Sequence, residues 1–194
     1  METGLKKLGF HVKKTNSPRR IDDDPAVLFG TSGYVNVERS QGDYLLVDRA
    51  LWGDPEYVRL GWNGRNLRGD YKVPFDKAGR AAPRRKRHTP GERVILCGDY
   101  SHAPYAPEAT HWKPHPAQPN WNPTGLPVAE DFSDCAKAIC GSSTVAVELM
   151  LKGIPVDVKD PASMANKTLG WLAWTQWSWD EIEQGEPIRH LFDD

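Results

Sequence analysis

Gly141-Ser142-Ser143-Thr144 runs directly into an apolar stretch holding Val145, Val147, Leu149, Met150 and Leu151, with one carboxylate, Glu148, planted inside it. The spacing predicts a helix that begins at the hydroxyl cluster and stops at Gly153-Ile154-Pro155. A helix start leaves backbone N–H groups without partners and carries partial positive charge, so it stabilises an anion. Gly141 allows close approach, and Ser142, Ser143 and Thr144 add hydroxyls, which suits a diphosphate. Glu148 falls four residues past Thr144, one turn on and on the same face, where it would accept from sugar hydroxyls. The next strand, read from Ile154-Pro155-Val156-Asp157-Val158, would carry Asp157 and Asp160 toward the same rim. The competing reading is an ordinary capped helix with Glu148 merely solvated.

Other residues offer different chemistry. Cys97, His102, His111, His115, Cys135 and Cys140 all fall in one region and raise zinc as a rival. Their spacing lacks the paired ligands of a structural zinc site, except loosely at His111 and His115, so no metal is assigned. Cys135 and Cys140 read better as small buried hydrophobes. Trp171, Trp174 and Trp177 recur every three residues, which predicts one packed helix face.

The elements that must position these groups read as alternating strands and helices, which predicts an α/β protein with mostly parallel sheet. Residues 1–75 read as a short N-terminal lobe, with a helix near its start and strands at 26–30 and 43–50. The second of these strands ends in Asp48 and Arg49. Residues 76–92 hold a basic run between Pro and Gly and read as a linker or loop. Residues 93–194 read as a C-terminal lobe, opening with a strand in the stretch 93–100, with Gly98 at its exit and Asp99 just beyond. The Pro-, Trp- and His-rich stretch 101–127 predicts a long irregular loop, and Asp131–Gly141 a helix leading into a short strand. The stretch 171–192 predicts one or two helices, the second capped by Ser178 with Glu181 three residues on.

Bulk composition narrows the partners. A chain of 194 residues with formal charge −1 sets up no global field toward nucleic acid or membrane, so any attraction must be local. No apolar run reaches the ~20 residues of a membrane span, and the N-terminal sequence lacks a secretory signal's apolar centre. A cytoplasmic protein with no membrane partner is expected. Three cysteines, an odd number, fit reduced thiols.

The segment Ser142-Ser143-Thr144-x-Ala146-Val147-Glu148-x-x-Leu151-x-Gly153-Ile154-Pro155-Val156 resembles the nucleotide-binding signature of GT-B glycosyltransferases, notably small bacteriophage members. Residues 45–66 and 172–191 resemble the same phage group, and Lys113-Pro114-His115-Pro116 resembles a basic-Pro-His-Pro element of capsule-type members. The resemblance implies an abbreviated GT-B-like fold of Rossmann-type parallel sheet layers with flanking helices. It implies a metal-independent glycosyltransferase that takes its sugar from a nucleotide sugar, with a UDP-sugar foremost. In such a reaction the leaving diphosphate is stabilised as charge develops, and the acceptor hydroxyl loses its proton. Lys113, His115, Gly141, Ser142, Ser143, Thr144 and Glu148 would then hold the donor. Asp48, at a strand exit of the first lobe, is the first candidate for the base and Asp99 the second. Arg49 would pair with Asp48 or hold a phosphate.

The acceptor is less marked. Arg84, Arg85, Lys86 and Arg87, with Arg19 and Arg20 upstream, form local basic clusters that could track a phosphate backbone. Together with the phage resemblance they point to double-stranded DNA carrying 5-hydroxymethylated pyrimidines, whose base must leave the stack to react. For a phage-encoded chain the site of action would be the host cytoplasm. Two alternatives stay open: a transferase acting on a surface polysaccharide, and a non-catalytic module that binds nucleotide or nucleic acid.

Overall fold

The computed structural model describes residues 2–7, 26–29, 44–53, 56–62, 69–73, 80, 82–99, 103–142 and 144–192. The chain divides into two compact units. The first holds residues 1–65, 69–81 and 170–194, and the second holds 66–68 and 82–169. The class is α/β, with parallel strand pairs and flanking helices.

In the first unit, α1 (Glu2–Lys7) precedes β1 (Ala26–Phe29), β2 (Tyr44–Arg49) and β3 (Tyr57–Trp62). A strand close to the C-terminus completes a four-stranded sheet. β1 and β2 run parallel, whereas β2 and β3 are antiparallel, joined by the turn at Gly53. This sheet is therefore mixed. Leu45, Val47 and Leu60 face a core completed by Leu5, Ile182, Ile188 and Leu191 from the helical layer, and Tyr44 and Leu46, which alternate with them, are buried as well.

The second unit is built on β4 (Arg93–Cys97), β5 (His111–Lys113), β6 (Cys135–Cys140) and β7 (Val156–Val158). Every pairing among them is parallel, and the spatial order is β5-β4-β6-β7. The chain steps outward from β4 to β5, then returns past β4 to β6. A helix, α2 (Val145–Leu151), makes the crossover from β6 to β7 and buries Ala146, Val147 and Leu149. Asp131–Asp134 is turn rather than helix, because Asp131 Oδ1 accepts from the Ser133 amide at 3.0 Å and its hydroxyl at 2.8 Å. The irregular stretch before it is ordered by one tryptophan. Trp112 is fully buried on β5, meets Trp121 edge to face at 5.6 Å, and donates its indole N–H to the Trp121 carbonyl at 2.9 Å.

The C-terminal segment departs most from its sequence pattern. After α3 (Leu169–Ala173), residues Gln176–Ser178 form β8, antiparallel to β3, with Val58 opposite Trp177. The expected tryptophan helix face is thus broken, since Trp171 lies on α3 and Trp177 on a strand. The expected lobe 93–194 also splits, because residues 170–194 pack with the first unit. The reason is the sheet edge: β3 offers unpaired backbone groups that β8 satisfies. α4 (Trp179–Gln184) then starts with the full capping box of Ser178 and Glu181, and Gly185 at φ 80° passes the chain to α5 (Glu186–Phe192).

Candidate functional site

In an open parallel sheet, a ligand crevice forms at the carboxyl ends of two strands whose connections leave in opposite directions. β4 and β6 are such a pair. Their exits are Gly98-Asp99 and Gly141-Ser142, so two residue groups chosen from sequence meet at one place. The Ser142 backbone N–H donates to Asp99 Oδ2 at 3.2 Å. A Cβ on Gly141 would lie 1.9 Å from that same oxygen, so a side chain there would push the carboxylate from its place. The backbone N of His115 lies 3.6 Å from where a Cβ on Gly98 would stand, which brings His115 to the same edge. Its Nδ1 accepts from the Ala117 N–H at 3.1 Å.

The helix start differs in detail from the sequence reading. Thr144 is itself helical, with φ −60° and ψ −24°, and its side chain makes no cap bond; instead its carbonyl receives Val147 N–H at 3.0 Å. The anion nearest the turn is the protein's own Asp99 carboxylate. Glu148 is exposed one turn along, on the face shared with exposed Thr144. Ser143 lies outside the described residues. Asp157 turns to Lys159, at 2.8 Å, and Asp160 Oδ1 accepts from the Ala162 N–H at 3.1 Å.

Several expected groups sit elsewhere. Lys113 donates to the Ala129 carbonyl at 3.1 Å and to the Glu130 carbonyl, with its ammonium 6.0 Å from the centre of the Phe132 ring. Its charge is committed to that loop. Asp48 is paired with Arg59, and its other oxygen accepts from the Arg49 N–H at 2.7 Å. Arg84, Arg85, Lys86 and Arg87 are exposed on the second unit. Arg19 and Arg20 lie outside the described residues.

Two features escaped the sequence reading. The first is a polar row across the first unit's sheet, where Asp48 stands opposite Arg59 and Arg59 opposite Gln176. Arg59 and Gln176 are both 2% exposed, and Gln176 Oε1 accepts from the Leu51 and Trp52 amides. Tyr71 lies buried beside them, and burial pushes its hydroxyl pKa up although Arg59 pulls the other way. The second is a thiol pair under the crevice. A hydrogen bond with Cys97, then burial, raises the Cys140 thiol, and the nearby Asp99 charge adds to the effect. Burial pushes Cys135 up to about 11. Neither feature has a local signal, because both depend on which strands become neighbours. Among the described residues no three His, Cys, Asp or Glu side chains converge as metal ligands.

The chain matches no protein-family model, no curated protein and no solved structure. Among the described residues no helix is long and apolar enough to cross a membrane.

Proposed function

We propose that the protein is a GT-B-like glycosyltransferase whose donor, a nucleotide sugar, binds at the β4/β6 crevice. The observation that carries this reading is the reversal of the all-parallel sheet at those two strands, with Gly141 kept small beside Asp99. The resemblance of residues 142–156 to the nucleotide-binding signature selects a nucleotide sugar over other ligands of such a crevice.

The roles follow from charge. Asp99 already takes the Ser142 amide, so a diphosphate is accommodated on the Thr144 side, by hydroxyls and first-turn amides, with His115 across the edge. Glu148 accepts from ribose hydroxyls. Asp99 receives the acceptor's proton: a base needs a lone pair at the reacting group, and the Asp48 oxygens are held by Arg59 and the Arg49 amide. Gly98, Gly141 and the strand ends hold these groups on rigid elements, and the resemblance implies a transfer that is metal-independent.

The favoured acceptor is the hydroxymethyl group of a modified pyrimidine in phage DNA, since the basic residues 84–87 stand exposed. A surface polysaccharide is the second acceptor considered. Incubation of the purified chain with radiolabelled UDP-sugars and hydroxymethylcytosine-containing DNA tests both: label on DNA, lost in Asp99→Asn, supports the proposal. Label on a saccharide alone removes the DNA acceptor. No transfer to either, with no UDP binding by calorimetry, overturns the transferase.

A further inference from the structure

The basic residues are held on a fastened backbone. Residues 82–91 carry no regular secondary structure, yet Lys86 N–H donates to the Leu151 carbonyl at 2.8 Å and His88 Nε2 lies 2.6 Å from the Cys135 carbonyl. Gly153, at φ 83°, lets this strap lie close: a Cβ there would come within 2.2 Å of the Lys86 carbonyl oxygen. From the strap Arg84, Arg85, Lys86 and Arg87 reach into solvent.

Beside the strap opens a pocket of about 460 Å³ lined by His88, Lys113, Phe132, Ser133, Lys152 and Ile154. Two acids also border it, Glu130 and Asp131, but Asp131 is already bound by Arg93 at 3.2 Å and by Ser133. Lys113 is likewise held by the Ala129 and Glu130 carbonyls, so Lys152 and Glu130 balance at the pocket and the positive charge of the track comes from Arg84, Arg85, Lys86 and Arg87. Phe132 and Ile154 supply apolar surface, including one aromatic ring.

We propose that strap and pocket together dock single-stranded nucleic acid, with Arg84, Arg85, Lys86 and Arg87 following successive phosphates and the pocket taking one unstacked base against Phe132. A cationic track with an aromatic platform is the arrangement by which proteins hold single strands, because every base has a ring face to offer and a duplex hides it. The docked base is a different nucleotide from the reacting one. His88, Ser133, Lys152 and Ile154 precede strands β4, β6 and β7, whereas Asp99 and Ser142 follow β4 and β6, at the opposite ends. The inference rests on the nucleic-acid reading of the acceptor and narrows it to a strand opened before reaction.

Fluorescence polarisation of a short labelled oligothymidine with the full chain, without donor and over a range of salt, is the test. Single strand binds roughly tenfold or more tighter than duplex of the same length. Arg84→Ala with Arg87→Ala weakens it about tenfold and lowers the salt slope by about 1.4. Phe132→Leu weakens it about fivefold with the slope unchanged, since only ring stacking is lost. Circular dichroism of each variant reports retained fold. Duplex or heparin binding as tight as the single strand, or an undiminished Phe132→Leu, overturns the proposal. Binding with no sugar transfer leaves this docking site standing while the transferase falls, and transfer to duplex without single-strand binding does the reverse.

Discussion

The guanidinium of Arg59, with its side chain 3% exposed, is bonded to the Asp48 carboxylate directly opposite it on the neighbouring strand. A buried cation that loses its counter-charge keeps a desolvation cost that is no longer offset. Asp48→Ala therefore lowers unfolding free energy by about 3 kcal/mol, while Arg59→Met, which removes the buried charge itself, costs about 1 kcal/mol or less. Urea midpoints of the two variants measure the asymmetry. Equal, small losses would show that the pair is not held as described.

The Gly141 and Asp99 positions are coupled by contact. Gly141→Ala forces the carboxylate away and costs about 2 kcal/mol. In an Asp99→Ala background the same change meets no oxygen and costs about 1 kcal/mol less, a coupling read from a double-mutant cycle. Additive effects would mean that the two residues do not touch.

All three cysteines are free and buried, and Cys135 titrates only at about 11. The thiolate is the species that alkylates, so the folded chain reacts slowly with iodoacetamide at mildly alkaline pH. In denaturant all three react at the ordinary rate. Mass spectrometry of modified chain against time checks this, and fast labelling of Cys97 or Cys140 in the folded state contradicts it.

Alkaline pH weakens the fold through buried groups whose pKa is raised, Tyr71 and Cys135 among them. The Tyr71 hydroxyl is raised above its usual 10.0 by burial, and Cys135 from 9.0 to about 11. A group with a raised folded pKa adds stability that is complete below its unfolded pKa and is lost as pH climbs through the folded value. Stability measured by urea thus declines from about pH 9 upward. Tyr71→Phe and Cys135→Ala each flatten part of that decline; if neither does, these groups are not the cause.

On the acid side His190 moves in the opposite sense. Burial lowers its pKa below 6.5, helped by the Arg80 charge, while backbone bonds to Tyr71 and Lys72 oppose the shift. Its contribution is full above the unfolded pKa and is lost as pH falls through the lower folded one. His190→Asn makes thermal stability less sensitive to pH between about 6.5 and 5 than in the parent chain.

Much of this protein is written locally. The apolar run Arg93–Cys97, the stop at Gly153-Ile154-Pro155 and the Ser178/Glu181 box each carry their element within a few residues, because strand alternation, chain reversal and helix capping are short-range effects. The class of fold, the strand that delivers Asp99 and the helix behind Ser142 could be read in that way. Tertiary structure alone decided that residues 176–178 pair with β3, that Arg59 claims Asp48, that Cys97 meets Cys140, and that Asp99 fills the space beside Gly141. Each of those depends on which strands lie side by side and in what register. Such pairings join residues far apart in the chain, and a one-residue slip would exchange their faces, so no stretch of sequence taken by itself contains them.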